Sequence, residues 1–142
     1  MTDEIVVAVS GYFDPLHVGH IEYLELAKGL GDKLIVILNN DEQALLKKGK
    51  VFMPFEERIR IIKALRCVDE VFPCIDKDRS VCESLRAVRP NIFANGGDRV
   101  IGEVPETPIC EELGIKMVDS LGKKIQSSSE LIKKNGDENN EN

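Results

Sequence analysis

The sequence lacks the features that mark several classes of protein. Tryptophan is absent, and the four cysteines form no C-x-x-C pair, the spacing typical of thiolate metal sites. We therefore expect the cysteines to be small apolar core residues in a reducing compartment, with no metal held by the protein's own side chains. The longest apolar runs, such as Ile5–Ser10 and Leu34–Leu38, are far shorter than the ~20 residues of a membrane span. Met1–Glu4 carries two acids instead of a basic leader, which predicts a cytoplasmic protein without a membrane partner.

Basic residues are in the minority. The 142 residues include 25 acids and 19 bases, which gives a net charge of −6 and a pI of about 5.0. The electrostatic field of a net negative protein does not attract a phosphate backbone, so we expect no nucleic-acid partner. A local basic pocket for one nucleotide is still compatible with this net charge. The length is that of one domain, and 42% hydrophobic with 31% charged residues is typical of a soluble globular chain.

Short apolar runs alternate with segments of helical spacing. Ile5–Val9 is a β-branched run typical of a strand buried on both faces, and Val18–Leu30 places apolar residues at helical intervals. This alternation predicts a doubly wound five-stranded parallel sheet, a Rossmann-like α/β fold, in a single domain over residues 1–134. Residues 135–142 contain no apolar side chain and are expected to form a disordered acidic tail. The predicted strands are Ile5–Val9, Lys33–Leu38, Val68–Phe72, Asn91–Ala94 and Ile115–Val118.

Polar and flexible residues gather in the loops that follow the predicted strands. In an open parallel sheet, ligands bind beyond the carboxyl ends of the strands, where helix termini and exposed amides suit phosphate. In or directly beside the loops at that edge lie both histidines, the three lysines of residues 47–50, a Gly-Gly-Asp and a triple serine. These loops are Ser10–Val18, Asn39–Lys50, Ala94–Arg99 and Ser120–Ser129.

The first of these loops, GYFDPLHVGH, is the most informative. Its two histidines, His17 and His20, are three residues apart at the start of a helix, so both imidazoles lie on one face. Gly19 between them lets a bulky group approach the backbone. Neutral imidazoles there donate hydrogen bonds to anionic oxygens. The alternative is a pair of capping or packed histidines without chemistry, but the convergence of the chain's two histidines favours a site. A zinc site would need a third ligand that the sequence does not offer.

GYFDPLHVGH has every fixed position of G-x-F-D-x-x-H-x-G-H, and the chain thereby resembles the cytidylyltransferase-like nucleotidyltransferases. The resemblance spans about Val6–Ile132. Later segments are similar to further motifs of that family in the same order. They are GDKLIVILNNDE, PFEERIRIIKALRCVDEVF, NGGDR and IQSSSELI.

The resemblance implies a role for each matching residue. In that family an acceptor phosphate attacks the α-phosphorus of a nucleoside triphosphate in line, and pyrophosphate leaves. His17, His20 and Lys47 would be the catalytic residues. The implied nucleotide-binding residues are Gly11, Tyr12, Phe13, Asp14, Gly19, Gly97, Asp98, Ser127, Ser128 and Ser129. Further candidates for phosphate or acceptor contact are Lys50, Arg58, Arg99 and Lys123.

Plainer interpretations stay open for several of these residues. Lys47, Lys48 and Lys50 together are typical of a solvated face, and the sequence leaves open which of them contacts phosphate. The Gly-Gly pair also suits a simple turn, and the serines an N-cap with two spare hydroxyls. Gly122 stands where relatives carry an arginine, and Arg99 where many carry an aromatic residue. Both departures bear on the acceptor more than on the reaction.

The expected function is transfer of a nucleoside monophosphate from ATP or CTP to a small phosphorylated sugar or polyol. By pattern, the subgroups acting on heptose 1-phosphate and glycerol 3-phosphate are the most similar. Mg²⁺ is expected to arrive with the triphosphate, and the resemblance implies a homodimer. The alternatives are a nucleotide-binding regulatory module that has lost catalysis, and an adenylyltransferase for another phosphorylated metabolite.

Overall fold

The computed structural model describes residues 4–96 and 105–121. Within them lie five strands and five helices, with two helices in succession between the second and third strands. In chain order these are β1 (Val6–Gly11), α1 (Val18–Lys28), β2 (Lys33–Leu38), α2 (Asp41–Lys48), α3 (Phe55–Lys63), β3 (Glu70–Pro73), α4 (Cys82–Val88), β4 (Ile92–Gly96), α5 (Thr107–Leu113) and β5 (Lys116–Leu121). The helix predicted after residue 126 and the predicted tail at 135–142 lie outside the described residues.

The five strands form one sheet in the order β3-β2-β1-β4-β5, and every adjacent pair is parallel. The predicted Rossmann-like α/β fold with a doubly wound five-stranded sheet is therefore confirmed. Strand bounds differ slightly from the prediction. β3 begins at Glu70 instead of Val68, because the Val68 N–H closes a turn by donating to the Leu65 carbonyl.

The β-branched run of β1 is buried because both faces of the sheet are covered. Val7 and Val9 belong to one core layer with residues of α1 and α3, such as Leu24 and Ile62. Ala8, between the two valines, belongs to the opposite layer with residues of α4 and α5. The alternation of side chains along a strand thus sends successive residues into two separate cores.

The cysteines are all free, and two of them fit the predicted core role. Cys74 and Cys110 are buried, whereas Cys67 and Cys82 are half-buried. Burial raises the pKa of the Cys110 thiol to about 11, so this side chain stays a neutral, unreactive thiol. No helix in the described part of the chain is long and apolar enough to cross a membrane.

The order in which successive strands are added to the sheet reverses between β1 and β4. β1 pairs with β2 on one side and with β4 on the other, so the connections leaving β1 and β4 diverge at the carboxyl edge. This is the switch point at which open α/β sheets form a ligand crevice. The loop with both histidines follows β1, and β4 ends beside it at Gly96.

Candidate active site

The loop after β1 is shaped by a buried aromatic ring. Phe13 has a φ of 49° and is 3% exposed, so its ring enters the core instead of facing the crevice. A Cβ on Gly11 would lie 2.7 Å from the Phe13 Cζ, so only glycine leaves space for this ring. The ring packs edge-on against His20 with centroids 4.9 Å apart. Gly11 and Phe13 are predicted to bind nucleotide. In the structure Gly11 leaves space for the Phe13 ring, and that ring packs against the catalytic candidate His20.

The two histidines form the start of α1 itself. The Nδ1 of His17, the N-cap residue, accepts from the Gly19 N–H at 3.1 Å. The Nδ1 of His20 accepts from the His17 N–H, also at 3.1 Å. In each neutral ring the proton must then be on Nε2. The rings stack with centroids 3.8 Å apart and planes 27° apart, which brings two Nε2–H donors together.

Gly19 leaves space for the ring of His17. A Cβ at this position would lie 3.0 Å from Cε1 and 3.2 Å from Nδ1 of the His17 imidazole. The absence of a side chain therefore makes room for the chain's own catalytic candidate, which folds back over the first turn of α1.

The local environment keeps His20 neutral. Burial of the ring, with a smaller contribution from the neighbouring His17, lowers the pKa of His20 to about 4. Near pH 7 the ring is therefore a neutral donor through Nε2–H. This agrees with the neutral imidazole expected from the sequence.

Two consecutive lysines at the end of α2 reach the loop after β1. The ammonium of Lys47 lies 4.8 Å from the centroid of the Tyr12 ring, a cation–π distance. The ammonium of Lys48 contacts Asp14, at 3.0 Å from Oδ2 and 3.1 Å from the backbone carbonyl. Lys50 is exposed. Lys47 and Lys48 thus tie two elements together and are more than a solvated face.

Asp14 accepts hydrogen bonds from the segment after α2. Its side chain is 0% exposed, and its carboxylate accepts from the N–H of Phe52 at 2.8 Å and of Met53 at 2.5 Å, besides Lys48. Burial raises the pKa of this carboxyl, but the hydrogen bonds from Phe52, Lys48 and Met53 outweigh it, and the net pKa is lowered. Asp14 thus holds two loops together, and its nucleotide-binding role stays a prediction.

Arg58, predicted as a possible phosphate or acceptor contact, has protein partners for its guanidinium. The residue is 1% exposed, and its guanidinium donates to four protein oxygens. A planar five-donor fork suits this arrangement, since it bonds several acceptors at once. Arg58 therefore cross-links the ends of β1 and β2 beneath the crevice. Its acceptors are the carbonyls of Tyr12 (2.7 Å), Asn39 (2.9 Å) and Met53 (2.9 Å) and Oδ1 of Asp41 (2.6 Å).

One contact across the switch point was not predicted from the sequence. The hydroxyl of Tyr23 donates to the carbonyl of Ala94 at 2.8 Å and so joins α1 to β4. Tyr23 follows His20 by three residues, which places it on the same face of α1, and this spacing was the available signal. Several predicted site residues lie outside the described residues and have no place assigned: Gly97, Asp98, Arg99, Lys123, Ser127, Ser128 and Ser129.

The comparisons with known proteins agree with this geometry. The family model described as cytidylyltransferase-like matches residues 8–134. The bifunctional protein HldE of Koribacter versatilis is 39% identical over 104 residues, 72% of this chain and 21% of that protein. The FAD synthase of Pyrococcus horikoshii is 35% identical over 125 residues, 87% of this chain and 78% of that protein.

A solved structure is also similar. The lipopolysaccharide core biosynthesis protein of Thermoplasma volcanium superposes with a TM-score of 0.70 at 28% identity, covering 83% of this chain and 97% of that one. The present chain spans about a fifth to a quarter of the HldE relatives that it matches. The family match covers most of the chain. The chain therefore belongs to the cytidylyltransferase-like family of nucleotidyltransferases.

Proposed function

We propose that this protein transfers a nucleoside monophosphate from ATP or CTP to a small phosphorylated sugar or polyol. The observation that carries the proposal is the stacked pair His17 and His20, with both Nδ1 atoms engaged as acceptors at the start of α1. This leaves two Nε2–H donors at the switch point of the sheet, where open α/β folds bind their ligands and where donors suit the oxygens of a triphosphate.

The reaction needs positioning and charge stabilisation more than covalent chemistry. An oxygen of the acceptor's phosphate attacks the α-phosphorus, and the bond from that phosphorus to the bridging oxygen of the β-phosphate breaks. Pyrophosphate leaves with the electron pair. The imidazole donors stabilise the charge on the phosphate oxygens as the bond breaks. Lys47, at the end of α2, adds a positive charge beside the loop after β1.

We propose that Mg²⁺ arrives with the triphosphate instead of being held by the protein's own side chains. The described residues include no group of three His, Cys, Asp or Glu side chains suited to holding a metal ion. The Asp14 carboxylate already accepts three hydrogen bonds. Magnesium carried by phosphate oxygens needs few protein ligands, and when bound it neutralises charge on the leaving pyrophosphate.

The acceptor has two candidates. A phosphorylated sugar or polyol is supported by the motif order, and the FAD synthases among the similar proteins add a second acceptor. The chain covers 78% of the Pyrococcus FAD synthase against 21% of the Koribacter HldE, so the FAD synthase is the relative matched over most of its own length. FAD is an adenylyl group joined to flavin mononucleotide, and adenylyl transfer to that phosphorylated metabolite is therefore the second candidate.

A pyrophosphate-release assay tests the proposal. The protein is incubated with Mg²⁺, ATP or CTP, and one acceptor each from heptose 1-phosphate, glycerol 3-phosphate and flavin mononucleotide. We expect release with one triphosphate and one acceptor, and a product heavier than the acceptor by one nucleotidyl group in the mass spectrum. Triphosphate binding without release on any acceptor would instead favour the regulatory module. We further propose that the protein is a cytoplasmic homodimer. Light scattering of the purified protein tests its oligomeric state.

A further inference from the structure

The ladder between β1 and β4 is shorter than the two strands themselves. β1 pairs with β2 along its whole length, but with β4 at two positions, Val7 with Ile92 and Ala8 with Phe93. Beyond Phe93 the described part of β4 pairs with β5 alone. The two central strands therefore part towards their carboxyl ends, and the crevice at the switch point begins where their ladder ends.

Tyr23 bonds to β4 directly beyond that ladder. Ala94 follows Phe93 and is fully buried, and its carbonyl accepts from the Tyr23 hydroxyl at 2.8 Å. The ring of Tyr23 packs against the core layer that includes Ala94. A buried carbonyl is costly when it lacks a donor, so the hydroxyl stabilises β4 at the point where β1 leaves it.

The same side chain fixes the helix that holds the histidines. His17 is the N-cap of α1, His20 is its third residue, and Tyr23 lies on the same face one turn further along. The Phe13 ring packs against His20 from the loop after β1. Tyr23 adds the connection across the crevice, because its hydroxyl joins the first turns of α1, which form one wall, to the end of β4, which forms the other.

We propose that Tyr23 is a positioning residue that sets the width of this crevice: its bond to the Ala94 carbonyl holds the start of α1, and with it the His20 imidazole, at a fixed separation from the end of β4. The proposal rests on the proposed nucleotidyl transfer. Tyr23 takes no part in the chemistry itself and acts on the reaction through His20. A crevice of fixed width binds a triphosphate without first ordering its walls, and it keeps the imidazole donor aligned with the α-phosphorus.

Tyr23→Phe tests the proposal, because it removes one hydroxyl and keeps the packed ring. The Kd for Mg-ATP and Mg-CTP is measured by titration calorimetry, and kcat by pyrophosphate release. We expect the Kd of the triphosphate that the parent binds to rise by about fivefold and kcat to fall by about tenfold. The melting temperature should fall by a few degrees, since a buried carbonyl loses a donor.

Ser84→Ala is the matched control for this loss of stability. It removes a buried hydroxyl that donates to Oδ1 of Asp76 at 2.7 Å and accepts from the Ile75 N–H at 3.0 Å. Ser84 lies in α4, which covers the opposite face of the sheet from α1. We expect a lowered melting temperature with the Kd and kcat of the parent protein, all measured at a temperature at which both variants are folded.

A double-mutant cycle with His20→Asn shows whether Tyr23 acts through the imidazole. In the His20→Asn background there is no ring for the hydroxyl to hold in place. The further change Tyr23→Phe should then lower kcat by less than about twofold, against about tenfold in the parent background.

Three results would overturn the proposal. The first is a folded Tyr23→Phe with the Kd and kcat of the parent protein. The second is an equal loss of kcat in both backgrounds of the cycle, which would mean that the hydroxyl acts independently of His20. The third is a Ser84→Ala variant with the same losses, since these would then follow from lowered stability alone.

Failure of the proposed function is distinguishable from failure of this inference. Triphosphate binding by the parent protein without turnover on any acceptor would remove the proposed function alone, because the Kd of Tyr23→Phe against that of the parent still tests the crevice. A parent protein that binds neither triphosphate would overturn both.

Discussion

The backbone N–H of His17 donates to Nδ1 of His20 at 3.1 Å, so the helix start uses the ring of its own third residue as a cap. Capping and chemistry are competing interpretations of this histidine pair in the sequence. In the structure they are complementary, because each ring has two nitrogens. Nδ1 accepts from the backbone, and this fixes the proton on Nε2, where a donor to phosphate is needed.

Replacement of His17 by asparagine separates these two tasks. The Asn side-chain oxygen takes the place of Nδ1 and remains a good N-cap for the Gly19 N–H, whereas the Nε2–H donor is lost. We expect kcat to fall by about 10²–10³-fold, the usual effect of one lost transition-state donor. The melting temperature should stay near that of the parent protein. Pyrophosphate release and thermal unfolding measure the two effects, and undiminished turnover would remove His17 from the catalytic residues.

Gly19→Ala should shift stability and activity in opposite directions. Alanine favours a helix by about 1 kcal/mol over glycine, so the first turn of α1 gains local stability. The new Cβ would lie 3.0 Å from Cε1 of His17, so the imidazole must shift by a few tenths of an ångström from its place beside His20, which misplaces its Nε2–H donor. We expect turnover to fall at least tenfold while the melting temperature is kept or raised. Gly29→Ala, at the C-cap of the same helix, is the control and should leave turnover unchanged. An active Gly19→Ala enzyme would contradict this account.

The sequence predicts the fold well because the fold depends on local patterns. The run Ile5–Val9 and the helical spacing after it determine a buried strand and its covering helix, and the position of the histidine loop follows from them. The roles of Asp14 and Arg58 were less accessible. Their partners lie far away in sequence, such as Met53 for Asp14 and Tyr12 for Arg58, and neither period nor spacing encodes such pairs.

Arg58→Lys tests whether this residue is structural. One ammonium cannot replace a fork that bonds three carbonyls and a carboxylate, so buried acceptors lose their donors. We expect a loss of about 3 kcal/mol in the free energy of unfolding, or about 10 °C in melting temperature for a chain of this size. Arg60→Lys, on the exposed face of α3, is the matched control. A variant with the parent's melting temperature and weakened triphosphate binding would return Arg58 to the phosphate contacts.

The lowered pKa of His20 should make stability depend on pH in a defined window. The native ring has a pKa of about 4, against 6.5 for an ordinary histidine, because the half-buried ring is desolvated. Between these values the unfolded chain binds a proton that the native protein does not, so the free energy of unfolding falls as the pH drops from 6.5 towards 4.

With allowance for solvent screening of a half-buried ring, we expect His20 to account for about 1–2 kcal/mol of that fall. Asp14 does not interfere, since its pKa is lowered from 3.8 and it titrates below the window. His20→Asn keeps an acceptor for the His17 N–H but cannot titrate, so its urea unfolding curves at pH 7 and pH 4.5 should differ less than those of the parent protein. Equal pH dependence in the two proteins would show that the His20 ring is not desolvated, and the neutral donor proposed for catalysis would lose its physical basis.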